Sequence, residues 1–252
     1  MLLREDLTHA LDAAVFAREA LEIDLDPWQA QVLTTPSKRL LLNVTRQGGK
    51  STVAAIKAAH RALYVPGSLV LMVSPSLRQS GELYRKWREL LDRLDQPPSL
   101  TQDTSTSATL ANRSRVVSLP SSESTIRGYS AVDLLLFDEA SRVEDALYVS
   151  TRPMLAISNG QLVTMSTPAG RRGWWWNAWD SGEGWERVEV SATDCPRIDA
   201  GFLADERAAL GERWYRQEYA CSFEETEGAL FDYATIANAI TDDIAPLFGG
   251  DR

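Results

Sequence analysis

Val44-Thr45-Arg46-Gln47-Gly48-Gly49-Lys50-Ser51 is the stretch on which the fold of this chain turns. It fits the second half of a phosphate-binding loop, G-x-x-x-x-G-K-[ST], with Val44 where the first glycine would stand. Context makes up for that departure. Arg39 to Thr45 is a compact apolar strand, Gln47-Gly48-Gly49 a loop, and Lys50 to Tyr64 an alanine-rich helix ending before Pro66-Gly67. A strand feeding a glycine loop into a helix gathers backbone N–H groups and a helix N-terminus where phosphates bind. Lys50 is then expected on the β- and γ-phosphates, Ser51 on Mg2+ through its hydroxyl, and Thr52 beside it as a cap. The bland alternative is a helix cap that happens to read Gly-Gly-Lys-Ser.

A phosphate-binding loop predicts a second element, an apolar strand ending in an acid that manages Mg2+, and Leu134-Leu135-Leu136-Phe137-Asp138-Glu139 supplies it. Asp138 is expected to hold magnesium through its water shell, and Glu139 to orient and deprotonate the attacking water. Alone, such a pair after a strand is often only a helix cap. Phosphoryl transfer also needs a cation against the transition state, a task arginine suits because it stays charged. Arg46, inside the loop, is a candidate in cis. Arg127, in Thr125-Ile126-Arg127-Gly128-Tyr129, is the favoured candidate and would act in trans from a neighbouring subunit. Either residue could instead anchor its loop through a salt bridge.

Further out, Leu7, Leu11, Val15 and Leu21 predict one amphipathic helix over residues 5 to 22, broken by Asp26-Pro27. Leu69 to Ser74 reads as a strand and Leu77 to Leu94 as a long polar helix with Leu83, Trp87, Leu90, Leu91 and Leu94 inside. Thr109 to Ala111 and Arg115 to Leu119 suggest a β-hairpin, Ser121 to Ser130 a polar loop. Val132 to Phe137 is the most apolar strand, followed by a helix from Val143 to Leu155 and a strand at Gln161 to Ser166. Apolar strands alternating with helices imply an α/β fold of the P-loop NTPase (RecA-like) type, a mostly parallel sheet covered on both faces, with its ligand at the carboxyl ends of the strands. After Gly170 come Trp174-Trp175-Trp176, Trp179 and Trp185, a strand at Glu186 to Val190 and a helix over Ala200 to Ala220. The expected division is an ATPase core with its N-terminal helix over residues 1–170, a small lid subdomain over 171–235, and a linker over 236–252.

Composition narrows the classes. The chain has 252 residues, 44% of them hydrophobic, enough for one substantial core. No apolar run approaches the roughly 20 residues of a membrane span, and the mixed-charge N-terminus is unlike a secretory signal. Cys195 and Cys221 fit neither a disulfide framework nor a zinc site and read as core residues. A formal charge of −9 excludes a protein that coats nucleic acid, so any DNA contact is local. Arg171-Arg172 and Arg113 to Arg115 are the candidate clusters, with solvated surface as the ordinary reading.

Four elements in order resemble the ATPase domain of the large terminase subunit of tailed bacteriophages, over roughly residues 25 to 230. Pro27-Trp28-Gln29 resembles the adenine-side motif, and Thr45 to Ser51 the arginine-containing variant phosphate loop. Arg127-Gly128 with Phe137-Asp138-Glu139-Ala140 resembles the Walker B region, and Ser166-Thr167-Pro168 the coupling motif. The resemblance implies an ATP-hydrolysing motor that moves double-stranded DNA into a procapsid, with ATP and Mg2+ as cofactors. It implies that Gln29 contacts adenine, that Thr45, Arg46, Gln47, Gly48 and Gly49 with Lys50, Ser51 and Thr52 bind nucleotide, and that Thr167 senses the γ-phosphate. It further implies a ring of subunits, five in number, with the portal protein and the small terminase subunit as partners, at the portal vertex in the cytoplasm of the infected host. On its own, Gln29 reads as a surface helix residue and Ser166-Thr167-Pro168 as a strand-ending turn. The Trp174 to Trp176 run reads as lid core packed against the sheet rather than a DNA-stacking surface. Such terminases also carry a C-terminal nuclease with a cluster of metal-binding acids, and this sequence offers none. Phe223-Glu224-Glu225 through Leu230-Phe231-Asp232 resembles the approach to that nuclease, so DNA cleavage is not expected of these residues. The rivals are a helicase-like DNA-dependent ATPase, which needs a second RecA-like domain, and a non-hydrolysing nucleotide switch or assembly scaffold, for which Glu139 is superfluous.

Overall fold

The structure is a computed structural model that describes residues 2–122, 126 and 128–224. Arg127 and everything from Glu225 onward, including the expected linker, lie outside the described residues. Eight strands form one sheet: β1 (Arg39–Val44), β2 (Leu69–Ser74), β3 (Leu100–Asp103), β4 (Ser107–Leu110), β5 (Arg115–Pro120), β6 (Leu134–Asp138), β7 (Gln161–Ser166) and β8 (Glu186–Val190). Their order is β3-β4-β5-β2-β6-β7-β1-β8. From β5 to β8 every pairing is parallel, while β3, β4 and β5 form the antiparallel edge that contains the expected hairpin.

Apolar side chains leave the central strands in both directions, as strands buried on both faces require. Leu40, Leu42 and Val44 face one core with Val70, Met72, Leu134 and Leu136, whereas Leu41, Leu71, Leu135 and Phe137 face the other. Helices α1 (Leu2–Leu11), α2 (Ala13–Glu19), α3 (Pro27–Thr34), α4 (Lys50–Tyr64) and α5 (Leu77–Asp92) precede the hairpin, and α2 to α5 build the first core. Alanines 54, 55, 58, 59 and 62 of α4 are buried; their small size lets the helix axis lie close to the sheet at no cost in rotamer entropy. The second face is covered by α6 (Asp145–Thr151) and α7 (Gly173–Asp180). Trp174 stacks on Tyr148 at 4.0 Å and donates its indole N–H to the Val143 carbonyl at 2.9 Å. Trp174 and Trp175 are therefore core packed against the sheet, as the sequence suggested.

Several boundaries differ from expectation for local reasons. The N-terminal helix is two helices, because Asp12 accepts hydrogen bonds from the N–H groups of Ala14 and Val15 and caps a new start. Asp26-Pro27 begins α3 rather than merely ending a helix: Pro27 sits at its first turn, and Asp26 and Gln29 form a capping box. The helix expected over Ala200 to Ala220 is α8 (Ala200–Leu210) and α9 (Glu212–Glu218), interrupted at Gly211, whose φ of 79° no helix permits. The strand at Glu186–Val190, assigned by its sequence position to a lid starting at residue 171, is instead an outer strand of the main sheet, parallel to β1. A lid boundary at residue 171 would cut both this pairing and the Trp174–Phe137 core.

Candidate functional site

β7 lies between β1 and β6, in register Asn43↔Ser166 on one side and Asp138↔Met165 on the other. The carboxyl end of β7 therefore stands between the glycine loop and the Asp138-Glu139 pair, at one edge of the sheet. There a cleft of about 580 Å³ opens, lined by Gln29, Arg46 to Thr52, Lys86, Glu139 and Arg197.

The loop closes tightly. Gly49 has φ 98°, and a Cβ there would lie 2.5 Å from Nε2 of Gln29. A Cβ on Gly48 would lie 2.7 Å from a Val44 methyl, so the valine in the first-glycine position is a packing surface under the turn. Lys50 is buried and donates from Nζ to the carbonyls of Val44 (2.9 Å) and Thr45 (3.1 Å). Burial lowers its pKa, opposed by the charges of Glu139 and Asp138. Asp138 is shifted the other way, to about 6, first by burial and then by the neighbouring Glu139, with Lys50 and Lys86 acting against the shift. Two carboxylates and two lysines thus share one poorly solvated place.

Glu139 adopts a left-handed backbone, φ 51° and ψ 46°, a conformation that is rare outside glycine and clusters at functional sites. Its Oε2 lies 3.4 Å from the Ser166 hydroxyl. That hydroxyl is 2.7 Å from Ser141 Oγ, which donates in turn to the Thr167 carbonyl at 2.9 Å. Ser166, Thr167 and Pro168 are all buried rather than exposed on a turn; Ser166 meets Glu139 directly, and Ser141 joins Ser166 to the Thr167 carbonyl.

Not every expected residue faces the cleft. Thr45 is buried and its hydroxyl donates to the Glu218 carbonyl at 3.1 Å, which leaves its backbone as the part of it near the loop. Gln29 is not on the surface but 4% exposed, with Oε1 accepting from the Asp26 N–H at 2.9 Å. Arg46 lines the cleft, paired through Nε with Glu218 Oε2 at 2.6 Å. Arg171 donates to the Phe223 carbonyl and lies over the Trp176 ring, a structural engagement, while Arg172, Arg113 and Arg115 are exposed. Cys195 and Cys221 are free and buried, as read.

Three contributors carry no local signal. Arg197 forms a bidentate pair with Asp26, at 2.8 and 2.7 Å, and reaches the Gly48 carbonyl at 3.4 Å. Glu218 holds Arg46, and Lys86 approaches the Thr52 hydroxyl at 3.4 Å. Each comes from a distant stretch of the chain, and only the fold brings it in. Among the described residues no three His, Cys, Asp or Glu side chains converge as a metal cage.

Comparison with known proteins fits this geometry. The family model described as terminase large subunit, T4likevirus-type, N-terminal, matches residues 41–238. The terminase large subunit of Escherichia phage T5 is 28% identical over 201 residues, covering 75% of this chain and 44% of that protein. The present chain thus spans less than half the length of that curated relative. The large terminase ATPase domain of Thermus phage P74-26 superposes with a TM-score of 0.74 at 19% identity, over 82% of this chain and 97% of that one. The large terminase of the thermophilic bacteriophage D6E in complex with ADP gives 0.63 at 12% identity, over 79% of this chain and 54% of that one. With most of its described length inside the matched stretch, the chain belongs to the terminase large-subunit family and carries that family's N-terminal region.

Proposed function

We propose that this chain binds ATP in the Lys50 cleft, hydrolyses it with Mg2+, and serves as the motor part of a terminase that drives double-stranded DNA into a procapsid. The observation carrying the reading is the convergence of Lys50, Asp138, Glu139 and the Ser166 hydroxyl at the carboxyl ends of neighbouring strands. The backbone N–H groups of Gln47, Gly48 and Gly49 and the start of α4 cradle the phosphates, and Lys50 turns its ammonium from the loop carbonyls to the β- and γ-oxygens. Gln29 walls the adenine side. Magnesium fits the residues present: Asp138 is a buried carboxylate beside Glu139, and Ser51 lines the same adjoining cleft and offers a hydroxyl. Ser51 and Asp138 would hold the ion, which neutralises phosphate charge. Glu139 orients the attacking water and takes its proton. Ser141 links Glu139, through Ser166, to Thr167, a route by which the state of the γ-phosphate reaches the backbone after β7.

Arg46 is held by Glu218, so we favour Arg127, supplied by a neighbouring subunit, as the arginine that meets the transition state. A ring, of five subunits, on the portal vertex in the infected host's cytoplasm accommodates such a finger, with portal protein and small terminase subunit as partners. The D6E terminase has been seen with ADP, which supports nucleotide in this fold. The lid is best drawn from Ala192 onward, where the chain leaves the sheet. DNA cleavage is not assigned to these residues.

The test is steady-state ATP hydrolysis per subunit against protein concentration, with magnesium and with Lys50→Ala as control. A rate that climbs with concentration is expected, because neighbours complete the site. A flat, Lys50-dependent rate moves the finger to Arg46 and removes the support for the ring. Nucleotide binding without turnover would turn the chain into a switch.

A further inference from the structure

Helix α5 buries Leu83, Trp87 and Leu90 and leaves Lys86 on its flank toward the start of α4. There the Lys86 ammonium lies 3.4 Å from Thr52 Oγ1. It lines both the main cleft and an adjoining one of about 210 Å³ that includes Ser51 and Asp138. The glutamates that helical spacing would offer it, Glu82 and Glu89, are both taken by Arg85. Among the described residues no carboxylate is in ion-pair contact with Lys86, so a full positive charge on a half-buried stem faces the phosphate end of the cleft.

We propose that Lys86 is a further catalytic residue, whose ammonium donates to the γ-phosphate and offsets the charge that develops there as the bond to ADP breaks. The assignment rests on the reading of the cleft as an ATPase site. In the step, water forms the new bond to phosphorus, its proton passes to Glu139, the electron pair of the broken bond leaves with ADP, and Lys86 keeps its proton throughout. The alternative role is a tie between α5 and α4 through the Thr52 hydroxyl, which would affect folding and ground-state binding instead.

Calorimetric titration of the chain with magnesium and ADP, with and without aluminium fluoride as mimic of the transferring phosphoryl group, separates the two. For Lys86→Met we expect the ADP Kd to stay within about twofold, while affinity for ADP with aluminium fluoride and kcat both fall on the order of 100-fold at little-changed KM. Lys86→Arg, which keeps the charge, should recover at least a tenth of the lost analogue affinity. Equal analogue binding by wild type and Lys86→Met, with kcat within threefold, overturns the assignment while leaving the ATPase reading intact. A wild-type chain that binds no ADP fails at the nucleotide site itself and takes Lys86 with it.

Discussion

Helix α4 carries one buried lysine at its start and another at its middle, and the two are chemically the same residue in opposite situations. Lys50 and Lys57 are both nearly inaccessible, and each donates to two backbone carbonyls, Val44 and Thr45 for the first, Val32 and Leu33 for the second. Both have pKa values lowered chiefly by burial. They differ in their company. Around Lys50 stand Glu139 and Asp138, which favour its charged form, whereas the next influence on Lys57 is Arg61, which disfavours it. Lys50 opens onto a cleft between strand ends, and Lys57 closes the carboxyl end of α3, where free carbonyls welcome a cation. Hydrogen bonding alone therefore does not separate a working lysine from a structural one. Since each of the two lines a cleft, what separates them is the identity of the charges around each.

The largest effect that could break this comparison is on turnover. Lys50→Ala should lower ATP hydrolysis on the order of 1000-fold, since on the proposed reading it deletes a donor to the transferring phosphate. Lys57→Met, two turns along the same helix, should leave the rate within about twofold. Steady-state phosphate release from the two variants checks both, and a comparable loss in each would mean that α4 acts as one unit and that company decides nothing.

The Lys50 end of this contrast was legible in the sequence and the Lys57 end was not. A strand, a glycine loop and a helix are local patterns, and the strand before Lys50, the helix after it and the strand ending at Asp138 are found where periodicity and motif coincide. Lys57 reads as one more polar residue among alanines, since what buries it is α3 crossing above. Gln29 read alone as a surface helix residue, and only the family resemblance drew it to the nucleotide, for a similar reason: the capping bond to Asp26 that turns it inward, against Gly49, leaves no periodic signal. The strand Glu186–Val190 was legible but its partner was not, because parallel pairing with β1 joins distant stretches of the chain and leaves no turn signature. Strand Leu100–Asp103, exposed over most of its length, had no alternation to betray it. Arg197, 149 residues from the Gly48 carbonyl it approaches, could not be read at all.

Titration sharpens the comparison next. Lys57 has its pKa lowered from 10.5 to about 8 by burial. Below pH 8 both folded and unfolded chains hold this proton, and the folded state bears the full cost of the buried charge. Between about 8 and 10.5 the unfolded chain binds the proton more tightly, so stability rises with pH across that window. The gain is about 3 kcal/mol at 1.36 kcal/mol per unit, an upper bound. Urea unfolding at both ends of the window should show this rise in wild type and its absence in Lys57→Met. Parallel curves for the two proteins would mean that the two carbonyls fully stabilise the ammonium, and that the buried charge costs nothing.

The smallest effect concerns the pair that closes the Lys50 end from outside. Arg197 joins Asp26 in two hydrogen bonds, yet its side chain is 49% exposed. Solvent screening keeps such a pair below about 1 kcal/mol, so Arg197→Met should barely move the unfolding midpoint. Its position is another matter, since Arg197 also approaches the Gly48 carbonyl beside Gln29. Loss of that prop should loosen the loop and weaken ADP binding by about threefold, on the order of half a kcal/mol at RT per e-fold. A calorimetric titration alongside a double-mutant cycle with Asp26→Asn distinguishes the two consequences. Weakened binding at unchanged stability means that this arginine, like Lys50, matters for the ligand it faces. Lost stability at unchanged affinity would make it the counterpart of Lys57, a cation whose work is done within the fold.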